Sequence, residues 1–228
     1  MTDLTPLGQR LASIDEQIAD AARAASRDLS SITRIVITKF HPASMVRELH
    51  GLGVRDFGES RHQEAQPKVA ELSDLDAQWS FVGQLQSKKA RQVRAYCQAI
   101  HSLDRDSLIT ALANDEPGTP LDVFVQVNLT DDPARGGVIP SELDAFADRV
   151  AAAAGIELRG LMGVAPLDQD PRPAFAALRA LSERIGIQHP GARALSMGMS
   201  GDFAEAIAEG ATHLRIGTAI TGKRPDHG

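Results

Sequence analysis

Eight short runs rich in β-branched and aromatic residues recur along this chain, each followed by a stretch with helical spacing, and that alternation limits the fold more than any other feature. The runs fall at residues 34–38, 54–57, 79–82, 99–102, 122–128, 157–164, 194–197 and 213–216. Between them lie amphipathic or alanine-rich stretches such as 43–49, 88–96, 141–153, 174–185 and 203–209. Strands that alternate with helices pair in parallel, because a helical crossover returns the chain to the same end of the sheet. Eight such units close into a (β/α)8 barrel of the TIM type. An open doubly wound sheet ordinarily carries a glycine-rich phosphate loop after its first strand, whereas here the first strand runs into Thr38-Lys39-Phe40. The 228 residues suit a barrel of about 200–250 residues. No linker or low-complexity tract interrupts the series, and the longest polar loop, 130–140, is short enough for a barrel connection. The sequence therefore predicts one α/β domain over residues 1–228. Ahead of the first strand, Leu4, Leu7, Leu11, Ile14 and Ile18 recur at three- and four-residue spacing, which predicts an additional N-terminal helix over about residues 3–27, packed on the body.

Composition narrows the function classes. Hydrophobic residues at 43% and charged residues at 24% describe a chain able to bury a substantial core. A net charge of -6 and a pI near 5.6 argue against a surface that neutralises a phosphate backbone, so no nucleic-acid partner is expected. The first 27 residues carry Asp3, Asp15, Glu16 and Asp20 without a continuous apolar run, which excludes a secretory signal or membrane span there and predicts a cytoplasmic protein. Cys97 is the single cysteine and cannot pair within the chain; in the helical stretch 88–98 it reads as a small buried hydrophobe. The seven histidines, at positions 41, 50, 62, 101, 189, 213 and 227, show no ligand spacing, so no metal is expected.

In a barrel of this kind chemistry sits at the C-terminal ends of the strands. Lys39 follows the apolar Ile35-Val36-Ile37 directly and is expected at the barrel mouth in a partly desolvated position, where the ammonium is disfavoured and the free amine attacks an aldehyde. A solvated lysine capping a strand is the plainer reading of the same position. The last strand leads into Gly217-Thr218, whose consecutive N–H groups and threonine hydroxyl could cradle a phosphate. The seventh leads into Met197-Gly198-Met199-Ser200-Gly201, which aims the Ser200 hydroxyl and a helix start at the same place. Singly, either segment is an ordinary tight turn; as neighbours beside strands seven and eight they converge on one anion. Two other likenesses fail. Gly217 to Lys223 imitates a Walker A loop, but Arg224 stands where Ser or Thr would hold magnesium. Gly198-Met199-Ser200 begins like a nucleophile elbow, but Asp202 replaces its second glycine.

Taken together, Ile37-Thr38-Lys39-Phe40-His41-Pro42, Phe57-Gly58-Glu59-Ser60, the segment 81–89 (FVGQLQSKK), Ser196 to Ser200 and Arg215 to Gly222 resemble the pyridoxal phosphate homeostasis protein family, also called the proline synthetase co-transcribed type. Its members are single-domain relatives of the alanine racemase barrel, and the resemblance runs from about Ile35 to Gly222. It implies that pyridoxal 5′-phosphate (PLP) is held as a Schiff base on Lys39, that Ser200, Gly217 and Thr218 hold the cofactor phosphate, and that Arg215 faces the pyridine nitrogen. A guanidinium has no proton-accepting site, so it leaves that nitrogen unprotonated and weakens the ring as an electron sink. The sequence departs from the family pattern at Ser60, where asparagine is usual, at His41 for lysine, at Lys88 for asparagine and at Thr221 for phenylalanine.

The same resemblance separates a carrier from an enzyme. Racemases of this barrel need a base on each face of the substrate and take the second, a tyrosine, from a partner subunit's added β-domain. This sequence shows no such domain, and Tyr96, its single tyrosine, falls in a helical stretch away from any strand end. The reading is a monomer that stores or delivers PLP within the cell, in vitamin B6 homeostasis, with no catalytic residues, and with PLP-dependent apo-enzymes as its further partners. The alternative is a weak PLP-dependent racemase or a Schiff-base lyase.

Overall fold

In a computed structural model, which describes residues 4–223 apart from 117, 131, 133, 134 and 168, the eight runs are eight strands. They are β1 Thr33–Ile37, β2 Asp56–Glu59, β3 Gln78–Phe81, β4 Ala99–Leu103, β5 Leu121–Gln126, β6 Ile156–Met162, β7 Ala194–Ser196 and β8 His213–Ile216. Each pairs in parallel with its neighbour in chain order, and β8 returns to β1 to close the barrel. Ile35, Val36 and Ile37 are buried in succession, as a strand covered on both faces requires. The exposed Glu157 and Arg159 of β6 alternate with buried Ile156 and Leu158 before a fully buried end at Gly160-Leu161-Met162. His101 on β4 stacks on Phe124 of β5 at 4.3 Å between ring centroids and meets His213 of β8 edge-on at 6.0 Å. Since β4 and β8 are not neighbours in the barrel, that contact crosses the lumen, which side chains fill as in other small barrels.

The helices are α1 Pro6–Ala24, α2 Ala43–Gly51, α3 His62–Glu71, α4 Ala90–Arg94, α5 Asp106–Leu112, α6 Leu143–Ala151, α7 Arg172–Gln188, α8 Phe203–Ala208 and α9 Thr218–Thr221. Several readings of the sequence shift. The second strand begins two residues later than the run 54–57 and extends to Glu59, and the sixth stops at Met162, short of residue 164. The N-terminal helix begins at Pro6, where Thr5 caps it by accepting the Gly8 N–H at 3.1 Å; Leu4 precedes it and is exposed, and Asp3 lies outside the described residues. Helix 88–96 resolves into a short 3₁₀ turn, Ser87–Lys89, and α4, so Tyr96 and Cys97 follow the helix rather than sit in it. β5 ends at Gln126; Val127 still donates its N–H to the Met162 carbonyl at 2.8 Å and forms an isolated bridge to Val138. Helices α3 and α5 complete a series in which neither was singled out; Pro67 inside α3 obscures its helical pattern. Part of the loop 130–140, the Arg224 that ends the Walker-like run and His227 lie outside the described residues.

Helix α1 bears directly on the mouth. Its buried Leu7, Leu11, Ile14 and Ile18 each remove from water a side chain whose full burial is worth about 1.5–3 kcal/mol. The helix packs on α8 and α9, the two helices that follow β7 and β8. Arg10 on α1 donates from Nε to the Ile220 carbonyl at 2.7 Å, fixing the short α9 from below. No helix among the described residues is long and apolar enough to cross a membrane.

Candidate functional site

All five residues singled out in the sequence, Lys39, Ser200, Arg215, Gly217 and Thr218, line one cavity of about 390 Å3 at the C-terminal end of the barrel. That volume lies within the range of about 300–1,000 Å3 usual for small-molecule sites. Ile37, Val82, Met162 and Val164 supply apolar walls, and Ser60 lines the cavity too. The two glycine-containing strand ends do meet: Ser200 Oγ accepts the Ala219 N–H at 3.3 Å, linking the β7 and β8 loops. Gly198 makes the first loop feasible. Its φ of +90° suits glycine, and a Cβ there would lie 2.6 Å from the Ala206 Cβ. Across the mouth Gly83 allows the β3 end to press on β2, since a Cβ would sit 2.2 Å from the Ser60 carbonyl oxygen.

Arg215 is buried to 5% exposure. It donates from Nη1 to Ser196 Oγ at 2.8 Å and from Nη2 to the Gly163 carbonyl at 3.0 Å, and no ion pair to a carboxylate is found for it among the described residues. Burial pulls the guanidinium down to about 10, with Asp202 pulling the other way, so it stays charged at neutral pH. Ser196 Oγ also meets His101 Nδ1 at 2.8 Å, which extends the chain across the lumen. Burial first, then His213 and Arg215, hold His101 well below its usual 6.5; burial, Arg159 and Arg215 bring His213 down to about 4. Both rings are therefore neutral beside the permanent cation.

Lys39 departs from expectation. It reaches the cavity but is exposed, not partly desolvated. Its Nζ lies 5.9 Å from the centroid of the Phe40 ring, and Arg61 stacks over that ring at 4.7 Å. What burial there is falls on its neighbours. Thr38 is fully buried, its Oγ1 donates to Glu59 Oε1 at 2.7 Å, and Lys68 Nζ donates to Glu59 Oε1 at 2.5 Å and to the Thr38 carbonyl at 2.9 Å. Burial pushes the Glu59 carboxyl up from 4.5 despite the adjacent Lys68 ammonium. Sequence reasoning missed Lys68. A lysine on a helix normally reads as solvated, and only the register of α3 over β2 turns it inward.

The remaining candidates fall elsewhere. Tyr96 is half-buried with its hydroxyl 3.2 Å from His62 Nδ1, away from the cavity lining, and Cys97 is a buried free thiol. Among the four departures from the family pattern, Ser60 alone lines the cavity; His41 and Thr221 are buried and Lys88 is exposed. No cluster of three metal-ligating side chains occurs among the described residues.

Residues 11–225 match the family model of the alanine racemase N-terminal domain. The pyridoxal phosphate homeostasis protein of Pseudomonas aeruginosa is 39% identical over 227 residues, which span 99% of this chain and 98% of that one. This chain belongs to the pyridoxal phosphate homeostasis protein family. Among solved structures, PipY of Synechococcus elongatus with PLP bound aligns with a TM-score of 0.82 at 37% identity, covering 95% of this chain and all of PipY. Alanine racemase from Corynebacterium glutamicum aligns at 0.66 with 16% identity over 96% of this chain and 62% of its own, a likeness of fold alone. Family membership thus rests on near full-length similarity, and the larger racemase extends beyond the part that this family shares with it.

Proposed function

We propose that this chain binds PLP in the 390 Å3 cavity, covalently through Lys39, and serves intracellular PLP homeostasis by holding or delivering the cofactor. The observation that carries the reading is Arg215: a buried guanidinium with no ion pair among the described residues, in the lining of a cavity that Ser200, Gly217 and Thr218 also line. Keeping a charge uncompensated in an interior is costly, and a polar ligand that accepts from it offsets the cost. The residues present fit the cofactor: an amine for its aldehyde, donors for its phosphate, apolar walls for its ring. PLP, when bound, supplies an aldehyde carbon and a ring that can draw electrons from an attached amine.

The chain's own groups have distinct tasks in this reading. Lys39 contributes the nucleophilic amine. Ser200 and Thr218 offer hydroxyls and Gly217 and Thr218 offer N–H groups to the phosphate, where charge-assisted hydrogen bonds are strongest. Arg215, held by Ser196 and the Gly163 carbonyl, presents only N–H donors to the ring nitrogen and keeps a proton off it. Beside Lys39 and Arg215 no described residue of the lining is ionisable, so no second base stands ready to move a proton on an attached amino acid. Storage or delivery therefore fits better than turnover, and PLP-dependent apo-enzymes are the natural recipients. Titration of the purified protein with PLP should produce a visible absorption band, and incubation with L-alanine should yield no steady accumulation of the D isomer. A protein that takes up no PLP would overturn the binding; sustained racemisation lost on Lys39→Ala would replace the carrier with an enzyme.

A further inference from the structure

Lys39 is exposed, yet the backbone on both sides of it is held by one segment, residues 59–68. On the N-terminal side the Thr38 carbonyl accepts from Lys68 Nζ at 2.9 Å, and the Thr38 hydroxyl donates to Glu59 Oε1 at 2.7 Å. The ammonium and the carboxylate meet at 2.5 Å, with side chains 8% and 1% exposed. On the C-terminal side Phe40 has a φ of 67°, in the left-handed region that side chains with a Cβ rarely enter. Its N–H donates to Glu64 Oε2 at 3.1 Å, and the Arg61 guanidinium, itself 3.3 Å from Glu64, lies over its ring. Such a conformation persists only where the surroundings over-determine it. Two charged side chains of one segment, Lys68 and Glu64, thus grip the two peptides that flank Lys39, while Glu59 and Arg61 hold the side chains of Thr38 and Phe40; none of the four lines the cavity.

We infer that Lys68 and Glu64 are positioning residues: by fixing the Thr38 carbonyl and the Phe40 N–H they aim the exposed Lys39 amine into the cavity. The inference rests on the reading that Lys39 captures PLP. A long, exposed side chain has many rotamers, and capture of an aldehyde uses only those that point its amine at the bound ligand; a fixed corner at residues 38–40 raises that fraction. A buried Lys68 ammonium needs acceptors in any case; what points to Lys39 is that one of them is the carbonyl just before it, while the half-buried Glu64 closes on the left-handed Phe40 just after it.

The test uses three variants of the full chain. In Glu59→Gln/Lys68→Met both buried charges go together, so no lone charge is left inside. Glu64→Ala removes the acceptor for the Phe40 N–H, and Glu64→Gln keeps one. For each, the rate of PLP uptake is read from the growth of visible absorption, and the intrinsic reactivity of Lys39 is read in the apo-protein by competitive acetylation with acetic anhydride and mass spectrometry. The double variant and Glu64→Ala should take up PLP roughly tenfold more slowly or worse, as misplaced reacting groups do. Their acetylation of Lys39 should match wild type, and Glu64→Gln should recover most of the uptake rate. Uptake at the wild-type rate in both the double variant and Glu64→Ala would overturn the inference, as would equal slowing in Glu64→Ala and Glu64→Gln. If the double variant does not fold, the Glu64 pair decides alone. Absence of uptake by wild type would instead strike the PLP reading itself.

Discussion

On the two flanks of β1 the barrel buries charge in opposite ways. On the β2 side, Lys68 is matched by Glu59, and the pair closes on itself and on Thr38. On the β8 side, Arg215, buried to much the same extent, donates among the described residues to a serine hydroxyl and a carbonyl, with no carboxylate paired to it. A compensated pair is an internal fastening and needs nothing from outside. Arg215, at the cavity wall with no salt bridge among the described residues, is on the proposed reading a group that binds the ligand. On that reading the first buried charge belongs to the scaffold and the second to the ligand, although neither burial nor hydrogen-bond number distinguishes them.

The comparison can be broken most sharply by stability. Lys68→Met strands the Glu59 carboxylate and should cost about 3–5 kcal/mol in the ligand-free protein at neutral pH, by chemical denaturation. Arg215→Met removes a charge with no ion-pair partner among the described residues and should change apo stability by less than about 1.5 kcal/mol, while it weakens PLP binding strongly. Equal losses from the two substitutions would erase the distinction. A smaller effect comes from pH. His101 and His213 have folded pKa values below 6.5, so the unfolded chain binds more protons as pH falls, and stability contributed by their neutral state is lost from about pH 6.5 downward, for His213 until about pH 4. Melting curves across that window should show the decline, and His213→Phe should flatten it. Glu59 acts in the opposite sense: its carboxyl is raised above 4.5, so its contribution favours the folded state at low pH and is lost as pH rises through the region above 4.5. The smallest effect belongs to the rim. Ser200→Ala removes one hydroxyl among several donors and should weaken PLP binding by about 1 kcal/mol, roughly fivefold, with only a small fall in melting temperature from the lost acceptor for the Ala219 N–H. Calorimetric titration would detect it.

The barrel was legible because its evidence is local: each strand announces itself through runs such as Ile35-Val36-Ile37, and order along the chain becomes order around the barrel. Boundaries were less so, since the end of β5 at Gln126 is set by where its partner stops pairing, not by Val127 itself. Lys39, Ser200, Arg215, Gly217 and Thr218 were legible as strand-end residues, and they share one cavity. The desolvation expected of Lys39 was not, because exposure depends on how the mouth is walled. The supports of the site stayed hidden for a similar reason. Lys68 meets Thr38 across 30 residues, and His101 meets Ser196 across 95; contacts of that span follow from closure of the barrel and from no periodicity in the chain.

The central claim is that one amine at the end of β1 carries the cofactor. Wild type and Lys39→Ala, each incubated with PLP, reduced with borohydride and digested, settle it by mass spectrometry. The account predicts a phosphopyridoxyl adduct on Lys39 in wild type and none fixed in the variant. An adduct on another lysine, or equal labelling of both proteins, contradicts it.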